Sequence, residues 1–142
     1  MTTTTSQIQA PVTAREHRRG LVVTGLIAAV TAAATTTVLA ALAMAVGVDF
    51  ELPDGGESIP LLGFTQLTFM FSLVGIGIAA AVRRWSSQPA RTFLRITLAL
   101  TAISLVPPFL VDANPATVVS LLVIHLAAAA VVIPVLVRRL TV

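Results

Sequence analysis

The stretch Val82-Arg83-Arg84-Trp85-Ser86-Ser87-Gln88-Pro89-Ala90-Arg91-Thr92-Phe93-Leu94-Arg95 is the only charged segment in the middle of an otherwise apolar chain, and it carries four of the nine arginines. Two long apolar runs precede it and two follow it. The segment therefore divides the sequence into two helical hairpins and holds their shared side at one membrane face. Short loops rich in arginine are retained on the cytoplasmic side during insertion, so that face is expected to be cytoplasmic.

Composition agrees with this reading. Of 142 residues, 56% are hydrophobic and 11% charged, more apolar surface than a soluble fold of this size can hide. There is no cysteine, which excludes disulfides, thiol redox chemistry and thiolate metal sites. All nine basic residues are arginine, and each lies at the end of an apolar run. Nucleic-acid binding needs a basic patch on a folded surface, whereas charge at span ends fits the lipid bilayer and its anionic headgroups. Arg83, Arg84, Arg91 and Arg95 are accordingly read as a topology signal or a contact for anionic lipid. The arginine-only basic set, with its Ala, Val and Leu bias, reads as GC-rich bacterial coding.

From the N-terminus, residues 1–19 are expected to form a disordered basic cytoplasmic tail, Thr-rich at first and ending in Arg15, Arg18 and Arg19, with 20–142 forming the bundle. Residues 21–48 form an uncharged run of 28, where about 20 already cross the hydrocarbon. Ala41-Leu42-Ala43-Met44-Ala45 resembles a signal-peptide cleavage site, but the apolar core of such a signal is about 7 to 15 residues, so the run is expected to be retained as a span. An acidic loop from Asp49 to Ser58 leads to span two (59–82), which opens at Pro60 and closes on Arg83, Arg84 and the interfacial Trp85. Span three (93–111) has Arg95 near its inner end, where the side chain can reach the headgroups. The turn Asp112-Ala113-Asn114-Pro115 and span four (116–137) complete the chain, which ends past Arg138 and Arg139. All nine arginines then fall inside and none outside, so the fold expected is an all-α integral membrane protein of four transmembrane helices with both termini cytoplasmic. Both hairpins begin with arginines and turn at acid plus proline. An old duplication and the shared grammar of two such hairpins both account for that.

Within the spans, packing comes before chemistry. Gly25, Ala29, Ala33, Thr37, Ala41 and Ala45 recur every four residues in span one, and Gly75 and Ala79 form a shorter pair in span two. Small residues let backbones approach closely in lipid, either inside the bundle, which is the favoured reading, or at a dimer face. Gln66, Ser104 and His125 lie about 10 to 14 Å below the outer boundary at 1.5 Å per residue, with Thr36 and Thr37 near the same depth. A single intramembrane polar layer of Thr37, Gln66, Ser104 and His125 is therefore expected. In a continuous helix Pro107 and Pro108 leave the carbonyls of Ile103 and Ser104 without donors, which Gln66 and His125 can supply; alternatively span three ends near Val106. His125 is the ionisable group to single out. It reads first as a neutral fastener between helices and second as a proton-relay or ligand residue.

No catalytic residue, metal or cofactor is expected. A hydrolase needs a nucleophile, a base and an orienting group, and no span offers an acid to orient His125. Gly75-Ile76-Gly77 lacks the following Lys-Ser/Thr of a phosphate loop. One histidine does not make a metal site. The small multidrug-resistance exporters are four-span proteins of similar size, but their first-span glutamate has no counterpart between Leu21 and Val48.

Ser104-Leu105-Val106-Pro107-Pro108, the turn from Asp112 to Pro115, Ile124-His125-Leu126-Ala127-Ala128-Ala129 and Val135-Leu136-Val137-Arg138-Arg139-Leu140 resemble a family of small four-span actinobacterial membrane proteins classed as a domain of unknown function. The resemblance covers roughly Gly20 to Leu140. It implies the four-span fold and the bacterial plasma membrane, and it carries over no site residues. Two functions are then open: a non-enzymatic structural or accessory membrane component, alone as a homo-oligomer or with a larger membrane protein, and a small-solute or proton-coupled transporter built on the polar layer around His125.

Overall fold

The computed structural model describes residues 10–52, 57–110 and 113–141, with the backbone only for 10–18, 52 and 57. Its elements are α1 (Ala10–Ala45), β1 (Glu51–Leu52), β2 (Glu57–Ser58), α2 (Leu61–Trp85), α3 (Pro89–Ser104), a short 3₁₀ turn (Pro107–Phe109) and α4 (Pro115–Thr141). Four helical stretches, Arg19–Ala45, Leu61–Trp85, Pro89–Phe109 and Pro115–Thr141, are long and apolar enough to cross a membrane, so this is a multi-pass membrane protein. The only strand pairing among the described residues is a two-residue antiparallel ladder, Glu51 opposite Ser58 and Leu52 opposite Glu57, in the acidic loop.

Helix α1 packs against α2 and α4, and α3 closes the ring by packing against the same two helices. Neighbours run antiparallel: as the number rises on α1 it falls on α2, with Gly25 near Ile76 and Thr37 near Thr65. The turn between α2 and α3 thus lies at one end of the bundle, the basic end, and the loop residues 46–52, 57–60 and 113–114 at the other, the acidic end.

Helix boundaries follow local chemistry. Residues 10–19, read from sequence as a disordered tail, continue α1 as helix, because extending an existing helix adds one hydrogen bond per residue fixed; residues 1–9 lie outside the described residues. At its other end α1 closes in a Schellman motif. Gly47 adopts φ 94°, its N–H reaches the Met44 carbonyl and that of Val48 reaches Ala43, both at 3.0 Å. Helix α4 starts on Asn114, whose side-chain oxygen accepts from the Ala116 N–H at 2.8 Å, with Pro115 in the first turn where its missing N–H costs nothing. Asp112 lies outside the described residues.

Span three resolves as the interrupted alternative. Helix α3 ends at Ser104, and at about 24 Å it falls short of a hydrocarbon layer of about 30 Å; the 3₁₀ turn through Pro107 and Pro108 continues the crossing. The Ile103 carbonyl, freed by Pro107, accepts locally from the Val106 N–H at 3.1 Å, so neither Gln66 nor His125 is needed there. Helix α4 carries a proline that the sequence reading left aside, Pro134, on its exposed side.

The interior separates into two apolar clusters. At the basic end Leu21, Ile76, Ala79, Phe93, Val132 and Leu136 pack with their neighbours, and at the acidic end Ala40, Phe50, Phe64 and Ile124 do so. Large aliphatics of α1 such as Ile27, 63% exposed, and Val30, 60% exposed, point outward to lipid, while Ala28, Ala29, Ala32, Ala33 and Ala40 point inward. This arrangement follows from lipid as solvent, where close backbone approach and not hiding of large apolar groups drives association.

Candidate functional site

Between the two apolar clusters lies a band of hydroxyl groups. Thr36 and Thr37 of α1 face Thr68 and Thr65 of α2, with oxygens 3.0 Å and 2.6 Å apart respectively. Both α1 hydroxyls also donate to the Ala33 carbonyl, at 3.0 and 2.7 Å. Each hydroxyl has one proton, and either member of each pair can be the donor across the interface, since Thr65 also lies 3.4 Å from its own Leu61 carbonyl. One turn further on, the buried Ser72 donates to the Thr68 carbonyl at 2.7 Å.

The second polar contact joins α3 to α4. The Ser104 hydroxyl lies 2.8 Å from the Thr101 carbonyl and is placed to donate to it. The same oxygen lies 2.6 Å from Nε2 of the half-buried His125 ring, a hydrogen bond whose donor is set by the imidazole tautomer. Among the described residues no buried side-chain nitrogen or oxygen lacks a partner.

Of the four residues expected to share one layer, Thr37 belongs to the first contact and Ser104 with His125 to the second. Gln66 stands apart. It is exposed on the side of α2 turned away from the bundle, one residue round the helix from Thr65. The hydroxyls of Thr65, Thr68 and Ser72 were missed although their spacing of three and four residues places them on one helical face.

The small residues divide similarly. Gly25, Ala29 and Ala33 are buried, Thr37 and Ala41 only partly, and Ala45 is exposed. A four-residue step advances about 40° beyond a full turn, so a repeat of four drifts off the buried face, which continues instead through Thr36 and Ala40. At Gly25 three helices meet: a Cβ there would lie 2.7 Å from Cγ1 of Ile76 and 3.3 Å from Cδ2 of Leu136. Ala79 is fully buried, and a Cβ on Gly75 would sit 3.9 Å from Leu136.

At the acidic end Phe50 holds φ 51°, rare for a bulky residue, and its ring is fully buried, edge-on to Phe64 at 5.0 Å between centroids. Asp49 beside it accepts from the hydroxyl of Thr117 on α4 at 3.2 Å, tying the loop across the bundle. At the basic end Arg84, Arg91 and Arg95 are exposed and Arg83 is half-buried. Trp85, 79% exposed, borders a shallow open depression of about 450 Å³ lined also by Val82, Ser86 and Thr92.

Residues 16–142 match the family of unknown function DUF6069. The chain belongs to that family. The match runs from Glu16 through α4, so every side-chain contact described above lies within the DUF6069 region. No curated protein and no solved structure matches the chain.

Proposed function

We propose that this DUF6069 chain is a non-enzymatic structural or accessory component of the bacterial plasma membrane. The reading rests on the surroundings of the Ser104–His125 pair. A nucleophilic hydroxyl needs a base and a third group that orients that base, whereas among the described residues nothing bonds the other ring nitrogen of His125, and Ser104 also reaches the Thr101 carbonyl. His125 acts as a fastener between α3 and α4, and the threonines do the same between α1 and α2. Both termini lie in the cytoplasm, and the exposed arginines of the basic end meet anionic headgroups. The chain works without metal or cofactor and does not bind nucleic acid.

Full-length protein in liposomes tests this. The expected result is no proton or solute flux above empty liposomes, with His125→Ala lowering stability only. A flux that His125→Ala abolishes while the helices remain intact would overturn the reading in favour of a transporter. Orientation is checked in the cysteine-free chain by thiol labelling: Ser58→Cys is expected to react in intact cells, and Ser87→Cys only after permeabilisation.

A further inference from the structure

The Gln66 amide is the group that the bundle leaves out. The residue is exposed, and its side chain makes no hydrogen bond to any described residue. Seven residues into span two as counted from 59, it lies about 10 Å below the outer boundary of a hydrocarbon layer of about 30 Å. Exposed Thr31 solves the same problem by donating to its own helix at the Ile27 carbonyl, 2.9 Å away. A glutamine has two N–H donors and a carbonyl to satisfy.

The face around Gln66 has a regular form. Met70, Leu73, Gly77 and Ala80 are all exposed, and at 100° per residue they stay within about 40° of Gln66. Their spacing of four, three, four and three residues is that of a left-handed helix–helix seam. A Cβ on Gly77 would meet nothing within 4 Å, so this part of the seam is open to a second backbone. At the basic end the seam runs out to Arg84, at headgroup level.

We infer that two copies of this chain associate through α2, related by a two-fold axis along the membrane normal, with Gln66 of each copy bonding Gln66 of the other. A residue near such an axis meets itself, and a primary amide is self-complementary, each copy donating N–H to the other's carbonyl. The amide carries the inference, because small residues on a helix face are common in any alanine-rich span. The inference rests on the accessory reading and names one partner for it, a second copy.

The test uses the full-length chain in lipid vesicles, with energy transfer between labelled copies followed as protein is diluted in lipid. The wild type is expected to dimerise and Gln66→Leu to weaken the dimer by about tenfold, the effect of an interhelical hydrogen bond in a membrane. Gln66 is exposed and its side chain hydrogen-bonds no described residue, so the variant is expected to keep its helices, which circular dichroism verifies. Because the chain has no cysteine, single substitutions report geometry: Leu73→Cys copies should cross-link under mild oxidant, and copies with Leu98→Cys on exposed α3 should not. A monomer at all dilutions, an unchanged dimer in Gln66→Leu, or cross-links through Leu98 would each overturn the α2 dimer. None of these touches the accessory reading, which falls instead on a flux lost in His125→Ala.

Discussion

The two hairpins are held together differently. In the first, α1 buries alanines and Thr36 along its length against α2 and α4, Gly25 lets Ile76 approach, two threonine pairs cross the interface, and the acidic loop folds Phe50 back over the end. In the second, α3 buries only Phe93 and Thr97, ends four residues short of Pro108, and among the described residues meets α4 through one polar joint, at Ser104 and His125. Where backbones approach closely, many weak contacts share the load and each polar bond matters little. Where a span is broken by prolines, one bond stands alone and matters more. The contrast makes the first hairpin the stable platform and the second the part most easily loosened.

The largest effect is expected at the loop. Phe50→Ala removes a fully buried ring and its edge contact with Phe64, and should cost about 3–5 kcal/mol in an unfolding titration in mixed micelles. Equal stability of the variant would mean the loop is not part of the core. Gly25→Ala comes next: its Cβ would sit against Ile76 and Leu136, so about 1–3 kcal/mol is expected from overpacking, partly recovered by Ile76→Val, which removes the Cδ1 atom 2.9 Å from that Cβ. Ser104→Ala should cost about 1 kcal/mol, because it removes the partner of His125 Nε2 in the bundle. Its signature is local, with faster amide exchange in α3 and little change in α1. Thr37→Val is the smallest, about 0.6 kcal/mol, because Thr65 can turn its hydroxyl back to the Leu61 carbonyl, already 3.4 Å away. If Thr37→Val proved more damaging than Ser104→Ala, the contrast between the hairpins would be reversed.

The four spans were legible because they are long uncharged runs bounded by arginines or by acid with proline, and hydrocarbon thickness sets both length and boundaries. The break at Pro107 was legible for the same kind of reason, a missing donor. What depended on rotation about a helix axis was less so. A four-residue repeat pointed at Ala41 and Ala45, and only the accumulated turn of 3.6 residues shows the buried face passing to Thr36 and Ala40. Gln66 was placed in the layer by depth alone, and depth does not distinguish it from Thr65, which is one residue away and faces inward. The Phe50 plug rests on a left-handed backbone and a ring contact with Phe64, neither of which has a periodic signature.

That His125 fastens α3 to α4 through Ser104 is the central claim, and nitrogen NMR of the ring in lipid nanodiscs reads it directly, with His17 replaced so that one histidine signal remains. The expected result is one fixed tautomer, with Nε2 bonded to the Ser104 oxygen, protected from exchange with water and lost to a tautomer mixture in Ser104→Ala. A tautomer mixture in the wild type, or a ring proton that exchanges rapidly with solvent, would contradict it and make His125 a group that chemistry or transport can use.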